Sequence, residues 1–156
     1  FRNTDQRIRN NKPVTPAYLL AALLWYPMRE EMDKQLQRMP LFPAFHQASG
    51  IILERQAQHT SIPRRFAAII KEIWELQFRL PKRKGKRALQ YFEHRRFRAS
   101  YDFILLREQA GEDLDGLGNW WTRYQEVPEQ EQAKMVNALE PEKTGRKPRR
   151  RKPKKT

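Results

Sequence analysis

The sequence predicts an all-α protein, an irregular bundle of about six to seven helices followed by a disordered basic C-terminal tail. Three observations support this class. Prolines stand where helices would begin or end, as in Thr15-Pro16 and at Pro81. No segment shows the apolar–polar alternation typical of strands. The strongest periodicity, at three- and four-residue steps, comprises Phe66, Ile69, Ile70, Ile73, Leu76 and Leu80.

The first helix is predicted to begin at Thr15, which can cap it, with Pro16 in the first turn where its missing N–H costs nothing. Pro27 is expected to kink or split this helix, because proline lacks a backbone donor. A helical pattern then resumes over residues 28–39, with methionines on one stripe.

Further helices are predicted over residues 43–58, 63–80, 87–93 and 95–109, and one more contains Trp120, Trp121 and Tyr124. Residues 128–140 show weak helical character, and residues beyond Pro141 are too polar to build a core. We therefore divide the chain into a helical body, 1–127, and a weakly structured to disordered tail, 128–156. The expected core comprises Leu20, Leu23, Leu24, Phe66, Ile69, Ile70, Ile73, Leu76, Tyr101 and Leu105.

Composition limits the class of protein. The 156 residues include no cysteine, which suits a cytoplasmic protein because no disulfide framework is possible. The longest apolar stretch, residues 17–26, is too short to span a bilayer, and the polar N-terminus does not resemble a signal peptide. Since the chain begins at Phe1, we expect it to be processed or to be a piece of a longer protein.

Charge is unevenly distributed along the chain. The formal net charge is +14, from 32 basic and 18 acidic residues. Residues 64–98 contain 12 basic and 3 acidic residues, residues 99–142 contain 3 and 10, and residues 143–156 contain 9 and none. Two cationic segments of this kind predict binding to a polyanion, with RNA as the favoured partner.

Two groups of residues are predicted to bind RNA. Lys82 and Lys86, like Arg83 and Arg87, would share a face if their segment were helical. A flexible basic tail would bind phosphates through counterion release, without reading sequence. The alternatives are a solvated surface and a solubilising terminus, and the tail also has the spacing of a nuclear localisation signal. In the body the candidates are Arg64, Arg65, Arg79, Lys82, Arg83, Lys84, Lys86, Arg87, Arg95, Arg96 and Arg98. In the tail they are Arg146, Lys147, Arg149, Arg150, Arg151 and Lys152.

Aromatic residues near these arginines could stack on bases. The helical spacing of Tyr91, Phe92, Phe97 and Tyr101 favours a core role instead. Adjacent tryptophans cannot both face inward on one helix, so one of the pair at 120–121 should be partly exposed or covered by another segment.

No catalytic or metal-binding residue is predicted. Asp113 and Asp115 have the spacing of a carboxylate pair but lie in an expected loop between Gly111 and Gly116. The three histidines, His46, His59 and His94, lack the spacing of metal ligands, and no phosphate-binding glycine motif occurs.

Several segments resemble, in order, the C-terminal half of bacterial poly(A) polymerases. They include KPVTPAYLLAALLWYP, IPRR, IWELQ and KGKRA, and the resemblance covers about residues 3–126, with a tail similar in kind. The quoted segments occupy residues 3–5, 12–27, 62–65, 73–77, 84–88, 97–102, 106–107 and 120–121.

The resemblance implies a helical body that holds RNA, together with an Arg/Lys-rich tail. It also implies a separate catalytic head that uses ATP and Mg²⁺ to add AMP to RNA 3′ ends, which promotes RNA processing and decay. The glycine-rich and carboxylate motifs of that head do not occur in this chain. We therefore expect no cofactor and no transferase activity here, and RNA, with RNA-decay proteins, as partners. The alternatives are a stand-alone nucleic-acid-binding adaptor and a docking domain for an acidic protein.

Overall fold

The computed structural model describes residues 15–139, in which seven helices and no strand occur. The all-α prediction is confirmed. Residues 1–14 and 140–156 lie outside the described residues, and so do the predicted tail beyond residue 139 and its six candidate RNA-binding residues. The helices are α1 (Pro16–Leu36), α2 (Leu41–Ala57), α3 (Arg64–Arg79), α4 (Arg87–Phe92), α5 (Phe97–Gln109), α6 (Leu117–Glu126) and α7 (Glu129–Asn137).

Helix α1 begins as the sequence predicts and continues further than expected. Thr15 Oγ1 accepts a hydrogen bond from the backbone N–H of Tyr18 at 3.2 Å, and Pro16 occupies the first turn. Of the two outcomes predicted for Pro27, a kink or a split, the split does not occur, since Pro27 lies inside α1. Its missing donor leaves the carbonyl of Leu23 without a helical partner. Because Leu23 is 61% exposed, water can reach this region.

The first core cluster joins α1, α2 and α3. Its largest fully buried side chains include Trp25, Phe45 and Trp74. The indole Nε1 of Trp74 donates a hydrogen bond to the carbonyl of Ala21 at 3.0 Å, which fastens α3 to α1. Such an interhelical bond satisfies the polar atom of a large ring that would otherwise be costly to bury.

The second core cluster joins the end of α3 to α4, α5 and α6. At its centre Trp121 is fully buried, and its indole Nε1 donates to the carbonyl of Leu80 at 3.1 Å. Helix α7 packs beside it, and Gln132 donates to the carbonyl of Tyr124 at 2.8 Å. The expectation of weak helical character is wrong for α7, which lies beyond residue 127, the limit that we predicted for the body.

The core prediction is mostly confirmed. Ile70, Ile73, Leu76 and Tyr101 are buried. Leu20, Leu24, Phe66, Ile69 and Leu105 are partly buried against the two clusters. Leu23 is the error, because α1 instead buries Ala17, Tyr18, Ala21, Trp25, Met28 and Met32.

None of the helices in residues 15–139 combines the length and the apolar character that crossing a membrane would require.

Candidate nucleic-acid interface

Three helices of the basic segment have cations at their N-termini. Helix α3 starts at Arg64 and Arg65, α4 starts at Arg87, and α5 follows Arg96 and contains Arg98 in its first turn. None of the three has an acidic residue in its first turn. Cations at a helix N-terminus oppose the helix dipole, which favours anions there. The fold therefore concentrates positive potential that an anionic ligand would relieve.

The turn between α3 and α4, residues 80–86, carries the densest group of predicted RNA-binding residues. Pro81 and Gly85, the latter with φ of +60°, prevent a continuous helix. Lys82 and Lys86 therefore do not share a helix face, because the segment between them is not helical. Lys84 is half-buried and Lys86 is exposed, so the turn presents cations to solvent.

Aromatic rings hold three of the cations in place. The Arg79 guanidinium lies 4.4 Å from the centroid of the Phe42 ring, and the Lys82 ammonium lies 5.5 Å from the same centroid. The Arg83 guanidinium lies 4.6 Å from the centroid of the Trp120 ring. Such contacts orient the cations. Lys82 and Arg83 form no ion pair within residues 15–139, whereas Arg79 also pairs with Glu75.

Carboxylates neutralise another part of the predicted set. Arg95 and Arg96 both bind Glu72, at 2.6 and 2.9 Å, and Arg79 binds Glu75 at 3.0 Å. The Nε atom of Arg98 lies 3.9 Å from the Oδ1 atom of Asp102. Burial opposes ionisation of Glu72, but hydrogen bonds and charge from the two arginines outweigh it and lower the pKa of Glu72. These arginines contribute to the fold through their ion pairs, and the carboxylates partly cancel their charge.

The remaining predicted RNA-binding residues of the body differ in their exposure and in their ion pairs. Arg64, Arg65 and Arg87 are exposed. Within the described residues, Arg64, Arg65, Lys82, Arg83, Lys84 and Lys86 form no ion pair. The uncompensated charge therefore concentrates at the start of α3 and along the turn before α4.

The nearby aromatics pack as expected. Phe97 and Tyr101 are buried, and Phe92 contacts Phe97 with ring centroids 5.4 Å apart. Trp121 is fully buried, whereas Trp120 is half-buried and stacks on Tyr124. The prediction for the tryptophan pair is confirmed. The contact between Arg83 and Trp120 was missed, because no sequence pattern joins residues so far apart.

The described residues do not build a site for a catalytic metal. Asp113 and Asp115 are exposed in the loop between α5 and α6, where the Asp113 Oδ1 accepts a hydrogen bond from the Asp115 backbone N–H at 3.0 Å. No group of three histidine, cysteine or acidic side chains converges within residues 15–139.

The sequence analysis missed an ionic cluster around Arg107, whose side chain is 8% exposed, whereas that of Glu112 is 27% exposed. Arg107 donates to Glu112 at 2.9 and 3.2 Å and to Gln77 at 3.1 Å. Gln77 in turn donates to the carbonyl of Ser100 at 3.1 Å. Burial opposes ionisation of Glu112, but the hydrogen bond and charge of Arg107 lower its pKa. These contacts join α3 and α5 to the loop that follows α5.

The fold and its surface define a basic all-α protein whose fixed cations lie on short helices and a turn. The chain matches the family described as Polymerase A arginine-rich C-terminus over residues 37–156, and it belongs to that family. The resemblance found in the sequence is thereby confirmed.

Full-length relatives agree with this assignment. The chain is 38% identical over 161 residues to Poly(A) polymerase I of Salmonella typhi and 37% identical over 161 residues to that of Escherichia coli O157:H7. Each alignment covers 98% of this chain and 35% of the relative. Poly(A) polymerase I of Haemophilus influenzae is 32% identical over 159 residues, covering 96% of this chain and 35% of the relative. The chain thus spans about a third of the length of these proteins.

Proposed function

We propose that this chain is the RNA-binding C-terminal portion of a poly(A) polymerase. The full-length enzyme would add AMP from ATP to RNA 3′ ends and so promote RNA processing and decay. Family membership supports the parent activity. The observation that carries the RNA-binding role is the turn at residues 80–86, where Lys84 and Lys86 form no ion pair with the described residues.

The chemistry of transfer would belong to another part of the full-length protein. ATP and Mg²⁺ would bind there, because metal-assisted transfer needs converging carboxylates that residues 15–139 do not supply. This chain alone would then bind RNA without adding nucleotides to its 3′ end. Contacts with RNA-decay proteins and a cytoplasmic location remain part of the proposal.

A matched pair of triple charge reversals tests the RNA-binding surface. We expect Lys84→Glu, Lys86→Glu and Arg87→Glu together to weaken the binding of single-stranded RNA strongly, because they reverse the sign of the charge at this surface. The control reverses Lys34, Arg38 and Arg55 on and beside α1 and α2, which changes net charge equally. Affinities are measured by fluorescence anisotropy with a labelled RNA oligomer, after circular dichroism confirms that both variants fold.

Removal of residues 143–156 separates the contribution of the tail. If half of its nine cations meet phosphates, the slope of log K against log salt should fall by about 3, at ~0.7 per contact. If the first triple reversal binds RNA as the control does, the folded surface is not the binding site, and any RNA binding rests on the tail.

A further inference from the structure

The first half of α1 has an exposed apolar face. Leu19, Leu23 and Tyr26 are 41%, 61% and 49% exposed. Their spacing of four and three residues places them on one side of the helix, and Ala22 lies beside them. Single exposed apolar residues are common on protein surfaces, whereas a contiguous group of large ones is typical of an interaction site.

The same side of α1 becomes charged in the second half of the helix. Glu30 and Asp33 continue the helical spacing of Leu19, Leu23 and Tyr26, and both are exposed. Residues 16–28, by contrast, include no charged residue. The apolar surface is therefore confined to the N-terminal half of α1 and is not a general property of the helix.

A groove between α1 and α5 borders this face. Ala22 and Tyr26 line it from α1, and Phe103 and Leu106 line it from α5. Its volume is about 580 Å³, which is large enough to receive apolar side chains of a partner. The Tyr26 hydroxyl donates a hydrogen bond to Glu112 at 3.4 Å, which connects α1 to the loop that follows α5.

The chemistry and the size of this surface limit what can cover it. RNA binding depends on cations that meet phosphates, and residues 16–28 supply none. A stable interface between separate proteins takes about 800 Å² and roughly 20–30 residues from each partner, more than one side of half a helix provides. A small apolar face is sufficient when the partner belongs to the same polypeptide, because covalent linkage raises its effective concentration.

We propose that this face packs against the portion of the full-length protein that precedes these 156 residues. The chain covers only 35% of its relatives, and the matched family is described as a C-terminus. Helix α1 is the first helix of the described residues, so it is the helix nearest in sequence to that portion. Leu19, Leu23 and Tyr26 become buried there, and apolar side chains of the preceding portion enter the groove.

The contact fixes the orientation of the cationic turn at residues 80–86 relative to the rest of the enzyme. The inference rests on the proposed function, which makes this chain one part of a longer polymerase. It adds that the RNA-binding part is docked on the remainder through an apolar interface and is not merely tethered to it.

Cysteine alkylation compares the 156-residue chain with the full-length protein. The chain contains no cysteine, so Leu23→Cys gives it a single reactive thiol. We expect iodoacetamide to modify residue 23 at least about 10-fold more slowly in the full-length protein, which corresponds to ~1.4 kcal/mol for local opening of the interface. Glu30→Cys, on the same side of α1, is the control and should react equally fast in both proteins. Mass spectrometry of the peptide that contains the substituted residue measures each rate, after circular dichroism confirms that the chain is folded.

Hydroxyl-radical oxidation tests the same face without a substitution. Tyr26 of the wild type should be oxidised readily in the 156-residue chain and slowly in the full-length protein. Leu23→Glu should restore the oxidation of Tyr26 in the full-length protein, because a carboxylate opposes burial at the interface. Gln47→Glu, at an exposed position of α2, changes the charge equally and should leave Tyr26 protected.

Equal reactivity of residue 23 and of Tyr26 in the two proteins would overturn the inference. If that full-length protein still adds AMP to RNA, the proposed function stands without the interface. Protection already present in the 156-residue chain would also overturn the inference, because residues 1–14 or a second copy would then cover the face, and dilution distinguishes these two. A full-length protein that neither binds nor extends RNA would refute the proposed function, whatever the labelling shows.

Discussion

At the scale of single residues, ionic partners divide the arginines into structural and surface groups. The side chain of Arg107 is only 8% exposed, and it contacts Glu112, Gln77 and the ring of Trp25. Arg95 and Arg96 share Glu72. By contrast, Arg83 contacts the Trp120 ring and a backbone carbonyl. Identical side chains therefore serve the core or the surface according to what lies within reach.

The Glu112 carboxylate gives a prediction about acid stability. Its pKa is lowered in the folded state, so its contribution is present above the unfolded pKa of about 4.3 and is lost as pH falls through the folded pKa. Glu112→Gln should lower the free energy of unfolding by about 1–3 kcal/mol at neutral pH, because Arg107 loses its counter-ion. The variant should also lose less stability than wild type on acidification.

Urea denaturation from neutral pH to below pH ~4 measures both effects. Glu54→Gln, at an exposed position on α2, is the control and should change stability little. An unchanged acid dependence in Glu112→Gln would show that the Arg107–Glu112 pair does not contribute as described.

At the scale of helices, α1 shows how tertiary packing overrides a local breaker. Proline in a helix interior removes one hydrogen bond and crowds the preceding turn. Helix α1 nevertheless continues through Pro27, because Trp25, Met28 and Met32 on its inner face are all buried. Burial of these side chains offsets the local cost of the proline.

Pro27→Ala should therefore stabilise the protein. The change restores the N–H donor inside α1, and we expect a gain of about 1–2 kcal/mol after allowing for the more flexible unfolded chain. Pro43→Ala is the control, since Pro43 lies in the first turn of α2, where its missing donor costs nothing. Chemical denaturation compares the two, and a loss of stability in Pro27→Ala would show that packing requires the proline.

At the scale of the whole molecule, positive charge opposes the compact state. The net charge of +14 is carried on 156 residues, and three helices of the basic segment have cations at their N-termini. Like charges brought together by folding repel one another, and salt screens this repulsion. The same concentration of charge that favours a polyanion therefore costs stability in its absence.

Raising NaCl from about 50 mM to about 500 mM should accordingly raise Tm by a few degrees, since the Debye length falls well below the spacing of surface charges. The triple reversal at Lys84, Lys86 and Arg87 lowers the net charge by six units. The Tm of this variant should therefore rise less with NaCl than the Tm of the wild type. Scanning calorimetry provides the measurement. A Tm that falls with salt would mean that pairs such as Glu72–Arg95 outweigh the repulsion.

The sequence alone determined the all-α class, most of the helices, the basic segment and the family resemblance. These properties follow from local signals: apolar spacing along one helix, proline at its ends, and the order of short motifs. The cap at Thr15 and the buried residues Ile70 and Ile73 were predictable for the same reason, since each depends on neighbours within a few positions.

Only the tertiary structure decided which apolar face is buried and which cations remain uncompensated. Leu20, Leu23 and Leu24 are alike in sequence, yet the position of α3 and α2 leaves Leu23 exposed. The contact of Arg83 with Trp120 and the sharing of Glu72 by two arginines join distant segments. Such contacts are set by how helices pack, and no local pattern encodes the distance between residues that the fold brings together.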